Sequence, residues 1–218
     1  MIPMQYALRR RMMINASKGL PISELPLGTL IRIADSDGGA GDANYEIADI
    51  NNFVSGGVVL VRKNIHSTSA FGEKNTYPGS TLDNLIKTTI YNKMPQQLRD
   101  KMMDVTFALE GSGSITRKVF ALTYTMVRFG ANNGTTEGEA LQLYQSNASR
   151  KKTFNGSASE WWLSSRNSSD NAWFVSKGGA RGDGFLSRTR GVAPAFVMPS
   201  KTPYDPTPNT DGSYNLIL

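Results

Sequence analysis

Apolar residues recur along the chain at two spacings, and the switches between them set the expected order of elements. Met4, Leu8 and Met12 fall on one side of a short helix over residues 3–14, opened by Pro3, which fits a first helical turn. Gly19, Pro21 and Pro26 then punctuate a linker. Leu30, Ile31 and Ile33 predict a strand over Leu27–Ala34, followed by a Gly-rich polar turn over Asp35–Asn44. Tyr45–Ile50 and Gly57–Arg62 read as two more strands, the second apolar enough at Val58–Val61 to be central.

The helical spacing is clearest over residues 80–93. Leu82, Leu85, Ile86 and Ile90 share one face, Ser80 is a good N-cap, and Asp83 sits near the first-turn amides. Pro95 can open a second helix with Leu98 and Met102 inward, and Glu137–Tyr144 predicts a third. Lys118–Thr125 returns to strand character. Ser159–Ser164, Ala172–Ser176 and Val192–Met198 predict three late strands joined by Ser/Asn-rich and Gly-rich loops. From Pro199 the chain is Pro-rich and ends on the apolar run Leu216-Ile217-Leu218. No internal repeat is visible. Three units are therefore expected: a basic arm and linker (1–26), one domain (27–200) and an extended tail (201–218).

Composition narrows the function classes. Hydrophobic residues are 39% and charged residues 19% of 218, a globular balance in a chain long enough to bury a core. With no cysteine, disulfides, thiolate metal sites and thiol nucleophiles are excluded. Met1–Arg11 carries charges where a signal peptide needs an apolar stretch, and no apolar run reaches the length of a membrane helix. The net charge of +6 is scattered, and only Arg9, Arg10 and Arg11 cluster. A solvated arm is the simpler reading of that cluster; contact with an acidic partner surface is the functional one. Nucleic-acid binding is not indicated.

The most specific sequence signal comes late. Glu160-Trp161-Trp162-Leu163-Ser164-Ser165-Arg166 is followed by Asn171-Ala172-Trp173-Phe174-Val175 and then by Arg190-Gly191-Val192-Ala193-Pro194-Ala195-Phe196. This order resembles a domain family common in phages of Gram-positive gut bacteria and in some secreted bacterial proteins. Its members run W-W-L-R-S-P, then N-x-x-W-x-V, then G-V-R-P-A-F. The arm Met4–Arg11, Leu27-Gly28-Thr29-Leu30-Ile31 and Phe154-Asn155-Gly156-Ser157-Ala158 also look like that family, so the resemblance spans most of residues 1–200. Ser164 stands where the family's first arginine is, with Arg166 displaced by two positions, and Ala193 stands where its second is. Ion pairs of those arginines are expected to be absent or rebuilt through Arg166 or Arg190. The resemblance implies an α+β fold of C-type-lectin-like architecture, an antiparallel sheet flanked by two or three helices, with binding loops near the C-terminal strands. It also implies a virion protein, made in the host cytoplasm.

Candidate sites follow. Trp161 and Trp162, adjacent on a strand, must face opposite ways, and core packing is the simpler role for at least two of the three tryptophans. The loops Asn167–Asn171 and Gly178–Thr189 are the binding candidates, with Asn167, Ser169, Asp170, Arg181, Asp183, Phe185 and Arg188 as the residues to test. A solvated loop or a subunit contact is the competing role. Arg181-Gly182-Asp183 spells an adhesion tripeptide, too short to weigh. Asp35, Asp37, Asp42 and Glu46 echo part of a calcium loop, but Gly39 breaks the ligand pattern, and an Asx-rich turn is the simpler reading. His66 is the only histidine, so a histidine-based hydrolase or a multi-histidine metal site is excluded by count. No catalytic residue, metal or cofactor is expected. The expectation is a tail or baseplate adhesin that binds a host cell-surface glycan or protein through its loops. It would attach to other virion proteins through its arm, as a homo-oligomer and without membrane insertion. The alternative is a head or neck accessory protein, a capsid decoration or head-fibre subunit.

Overall fold

The computed structural model describes residues 19–33 and 43–218. The arginine arm and the acidic turn at Asp35, Asp37 and Asp42 therefore lie outside the described residues. The chain opens with β1 (Leu20–Pro21), β2 (Leu30–Ile33), β3 (Ala43–Ile50), β4 (Gly57–Arg62) and β5 (Ser67–Ala70). A helical stretch over residues 81–93 and a short helix at Gln96–Lys101 come next, then β6 (Val105–Leu109), β7 (Gly113–Arg117) and β8 (Val119–Ala121). After one helical turn at Asn147–Arg150 come β9 (Lys152–Phe154), β10 (Ser157–Ser159), β11 (Trp161–Arg166), β12 (Asn171–Val175) and β13 (Arg181–Phe185). β14 (Thr189–Val192), β15 (Pro194–Pro199), β16 (Pro203–Tyr204) and β17 (Tyr214–Asn215) complete it.

Strand dominates. Of the described residues 40% are in strands and 14% in helices, spread over several sheets, so the expected α+β, C-type-lectin-like class is overturned in favour of a mostly β molecule. The reason is visible in the helices. The stretch over 81–93 is α-helical only at Thr81–Asn84 and Tyr91–Lys93 and widens to a π-helix at Leu85–Ile90. It starts where expected, with Ser80 Oγ accepting from the Asp83 amide at 3.1 Å. The helix expected over Glu137–Tyr144 does not form. Gly138 has φ +81°, a left-handed step that breaks a right-handed helix, and the Leu141 and Leu143 amides bond across to Met126 O and Ala48 O.

Two sheets organise the core. The six-stranded one runs β17-β2-β3-β4-β15-β8, and the five-stranded one β13-β12-β11-β14-β5. β4 pairs antiparallel with β15, and β5 pairs antiparallel with β14. The single strand expected over Val192–Met198 is thus divided at Ala193 between the two sheets. Such corners, where one ribbon serves two sheets, lock the layers together. A third link ties β8 to β11, where the Ser164 amide donates to Leu122 O at 2.8 Å.

The first sheet is apolar: all six residues of β4 are buried, and Tyr45 and Phe196 pack edge-on at 5.1 Å. Residues 201–218 lie along the domain. β16 pairs with β1, and β17 adds a parallel strand to β2. No helix among the described residues is long and apolar enough to cross a membrane.

Candidate functional site

The five-stranded sheet carries the candidate residues. Trp161 and Trp162 on β11 are both buried and point to opposite faces, as alternation requires. Trp161 Nε1 donates to Arg150 O at 3.0 Å, and Trp162 Nε1 to Ser69 O at 2.9 Å. Each indole thereby keeps its one polar atom satisfied inside the core. Arg166 and Arg190 are both in ion pairs. Arg166 pairs in a fork with Glu110, its Nη2 lying 2.9 Å from Oε1, and holds the Glu110 carboxyl below its ordinary range. Arg190 Nε donates to Glu160 at 3.0 Å while its guanidinium lies 3.9 Å from the centre of the Phe174 ring and 4.4 Å from that of Trp162.

The segment Gly178–Thr189, expected as a loop, contains a strand. β13 pairs with β12 in the register Asn171↔Phe185, Trp173↔Asp183, Val175↔Arg181. Opposite residues share a face, so Arg181, Asp183 and Phe185 stand with Asn171 and Trp173 on one side of the sheet. Gly182 and Gly184 turn to the other side. A Cβ at Gly182 would lie 2.5 Å from the Phe174 ring, and one at Gly184 would lie 2.5 Å from the Arg190 guanidinium, so these two positions admit no side chain without repacking. β13 is the outer strand of its sheet, and Arg181, Asp183 and Phe185 are all exposed, Phe185 to 60%.

The structure brings most of the sequence-nominated residues together. The turn Asn167–Asp170 is closed by the Asn167 amide donating to Asn171 O at 2.9 Å, and Ser169 Oγ donates to Asp170 at 3.0 Å. The Leu186 amide donates to Asp170 O at 3.0 Å, which joins that turn to the one carrying Arg188, where the Arg188 amide donates to Phe185 O. Asn167, Ser169, Asp170, Phe185 and Arg188 thus gather at one end of the sheet. Asp183 accepts from Asn171 Nδ2 at 3.1 Å midway along, and Arg181 lies towards the other end, donating to Tyr124 Oη at 2.8 Å.

On the same side of the sheet, packed against Trp173, is a polar network that local sequence reasoning did not find. Trp173, half-buried, donates from Nε1 to Asn132 Oδ1 at 3.0 Å and packs on Tyr124 with ring centres 4.7 Å apart. Asn132 Nδ2 donates to Glu137 Oε1 at 3.1 Å, and the Glu110 amide donates to the same oxygen at 2.9 Å. Ser165 Oγ donates to Glu137 Oε2 and accepts from the Tyr124 amide. Glu137 is fully buried with no cation bonded to it among the described residues, and burial pushes its carboxyl above the usual range against the pull of those hydrogen bonds. Its contributors come from five separate segments, so no spacing along the chain announces them. The one local sign is a Glu beside a Gly, and the residues after it predict a helix instead.

Elsewhere Glu46 is buried between Lys152 at 3.1 Å and Lys63 at 2.9 Å, which places it in an ion-pair cluster. His66 bonds Ser67 Oγ through Nδ1 at 2.9 Å. Among the described residues no three His, Asp or Glu side chains cluster as metal ligands would. What the β12–β13 face can do chemically is hold a partner, through an exposed aromatic ring and charges of both signs on a rigid frame.

No curated protein and no solved structure is significantly similar to the chain. Residues 55–200, from the loop before β4 to just past the end of β15, match the family described as "Domain of unknown function (DUF6273)". That stretch holds the whole five-stranded sheet and the β4-β15-β8 half of the six-stranded one. It is more than half of the chain, and the chain therefore belongs to the DUF6273 family.

Proposed function

We propose that this chain is a structural protein of a bacteriophage virion that works by binding, as a tail or baseplate adhesin. The observation that carries the binding part is the row Arg181, Asp183 and Phe185 with the two turns beside it, exposed yet fixed to a buried sheet. Binding energy concentrates in a few aromatic and arginine side chains held in place by a scaffold, and this surface supplies both. The virion part rests on the likeness of W-W-L, N-x-W-x-V (one residue shorter than the family's N-x-x-W-x-V) and G-V-x-P-A-F to the phage domain family, and on the basic run Arg9–Arg11, the candidate attachment element. The host-facing partner is a cell-surface glycan or protein. The head or neck accessory reading draws support from the outer edge of β13, which no strand among the described residues pairs and which suits contact with another protein chain.

A map of the intact particle tests the proposal. The expected density lies in the tail or baseplate, with Asn167–Asp170 and Leu186–Arg188 facing outward. Density in the head or neck would transfer the assignment to the accessory reading, and absence from the particle would overturn both. Removal of residues 1–18 is expected to leave a folded protein that no longer joins the particle; normal incorporation would refute the arm's role.

A further inference from the structure

The outer edge of β13 has a pairing rule of its own. Ser176 N donates to Ala180 O at 2.8 Å and Leu186 N to Asp170 O at 3.0 Å, so 176:180 and 170:186 are hydrogen-bonded positions of the β12–β13 ladder. Such positions alternate along an antiparallel pair. Phe174:Gly182 and Ala172:Gly184 are therefore the bonded pairs between them, and the peptide groups of Arg181, Asp183 and Phe185 point away from β12. The residues whose backbone faces the open edge are the same three whose side chains stand exposed on the face.

We infer that this edge pairs with the β13 edge of a second copy of the chain, antiparallel about a two-fold axis at Gly182. The occupant is chosen by charge. A two-fold pairing that satisfies the outward groups on both strands must set one outward residue opposite another, which leaves centres at residues 181 to 185, and those at Gly184 and Phe185 make no opposite-charge pair. Centring on Arg181 places Arg181 opposite itself, and centring on Asp183 places Asp183 opposite itself; like charges directly opposed destabilise a pair. Centring on Gly182 places Arg181 opposite the second copy's Asp183 and Asp183 opposite its Arg181. That register makes two reciprocal opposite-charge pairs and four backbone hydrogen bonds, and lays Phe185 over the second copy's turn at Lys177–Gly179. Arg181 and Asp183 are already aligned by Tyr124 and Asn171, so neither long side chain has to be ordered from a free state. The interface is small, and the dimer is accordingly weak when free and reinforced wherever copies are held close together. The inference rests on reading β13 as a contact surface and is independent of the virion assignment.

The chain has no cysteine, so cross-linking reports the register directly. Hydrogen-bonded antiparallel partners have Cα atoms about 5.5 Å apart, within the span of a disulfide. R181C mixed with D183C is expected to give a disulfide-linked dimer under mild oxidation, while either variant alone gives none. A dimer from D183C alone or R181C alone would overturn the register, and no dimer in any mixture would overturn the pairing. Sedimentation of the cysteine-free protein from about 1 µM to about 1 mM provides a second readout. R181D and D183R are each expected to weaken self-association at least about tenfold, and R181D/D183R to restore it, because the swap rebuilds both pairs. A monomer at every concentration, or a dimer indifferent to the single reversals, would also overturn the inference. If self-association fails while Ala at Arg181, Phe185 and Arg188 still abolishes attachment, the surface serves a different partner. If both fail, the contact reading of β13 falls as well.

Discussion

The inner strands of the six-stranded sheet and the outer strand of the five-stranded one treat burial in opposite ways. In the six-stranded sheet every residue of β4 is buried, and β15, beside it, is buried up to its last position. In the five-stranded sheet β13 alternates exposed and half-buried residues and, among the described residues, is the last strand of the sheet. The same contrast holds for the buried acids of the two regions. Glu46 on β3 is offset by Lys63 and Lys152, whereas Glu137, in the network beside Trp173, is held by the neutral donors Ser165, Asn132 and the Glu110 amide. One half of the molecule is built for stability through apolar area and matched charge. The other half uses that stability to keep an open edge, a tryptophan and an unmatched carboxylate in fixed positions.

The comparison breaks most sharply in the first sheet. Phe196 is fully buried, opposite Leu60 on β4 and Val119 on β8, with Tyr45 against its ring. Phe196→Ala is expected to cost about 3–5 kcal/mol from lost burial and the cavity left behind. Denaturant unfolding measures it. A loss no larger than that of a surface substitution would mean that the centre of the core lies elsewhere.

The next effect separates the two acids. Glu46→Gln leaves Lys152 buried without its counter-charge and is expected to cost about 3 kcal/mol at neutral pH. Glu137→Gln is expected to behave in the opposite sense. The Glu137 pKa is raised in the folded protein, so folding favours its protonated form. That stabilisation is complete below the ordinary glutamate pKa and is lost as pH rises through the raised folded value. Glutamine does not ionise, so the Glu137→Gln variant should gain stability relative to the parent protein between acid and neutral pH. Melting curves across that range decide the matter; a difference that stays constant with pH would show that Glu137 is not ionising within the core.

How much of this was readable in the sequence divides along the same line. Val58–Val61 is a short, β-branched-rich apolar run that favours a buried strand, and Ser80 with the apolar face behind it marks where the longest helix begins. The Asn155-Gly156 pair forms a two-residue hairpin turn between β9 and β10, with φ +50° and +78°. β13 was not readable. Arg-Gly-Asp-Gly-Phe has no β-branched residue and carries the composition of a turn; it is extended because β12 offers it a ladder and because Phe174 and Arg190 need glycines to lie over. The break at Ala193 was hidden for a related reason, since Val192–Met198 is apolar throughout and gives no local sign that its two halves serve different sheets. The Glu137 network depends wholly on tertiary placement. The α+β expectation failed because it was carried by the fold of a resembled family, while the helices that do form are few and short.

The smallest expected change in stability belongs to the surface on which function is proposed to rest. Arg181, Phe185 and Arg188 are exposed, and their backbone is fixed by β12 and by the bond from the Arg188 amide to Phe185 O, not by the side chains themselves. Replacing all three with Ala removes one contact to Tyr124 and leaves the ladder, the turns and the buried tryptophans in place. Exposed positions of this kind contribute little to folding, so the melting temperature of the triple variant should stay within a few degrees of the parent. Attachment, to host cells or to a neighbouring virion chain, should fall far more than stability does, because an exposed aromatic ring and two arginines are the side chains that usually dominate a contact. The two readouts must therefore separate. A variant that melts early would place these side chains in the core and undo the contrast between the sheets. A variant that melts normally and attaches normally would leave β13 as a connector and move the search for the contact surface elsewhere in the molecule.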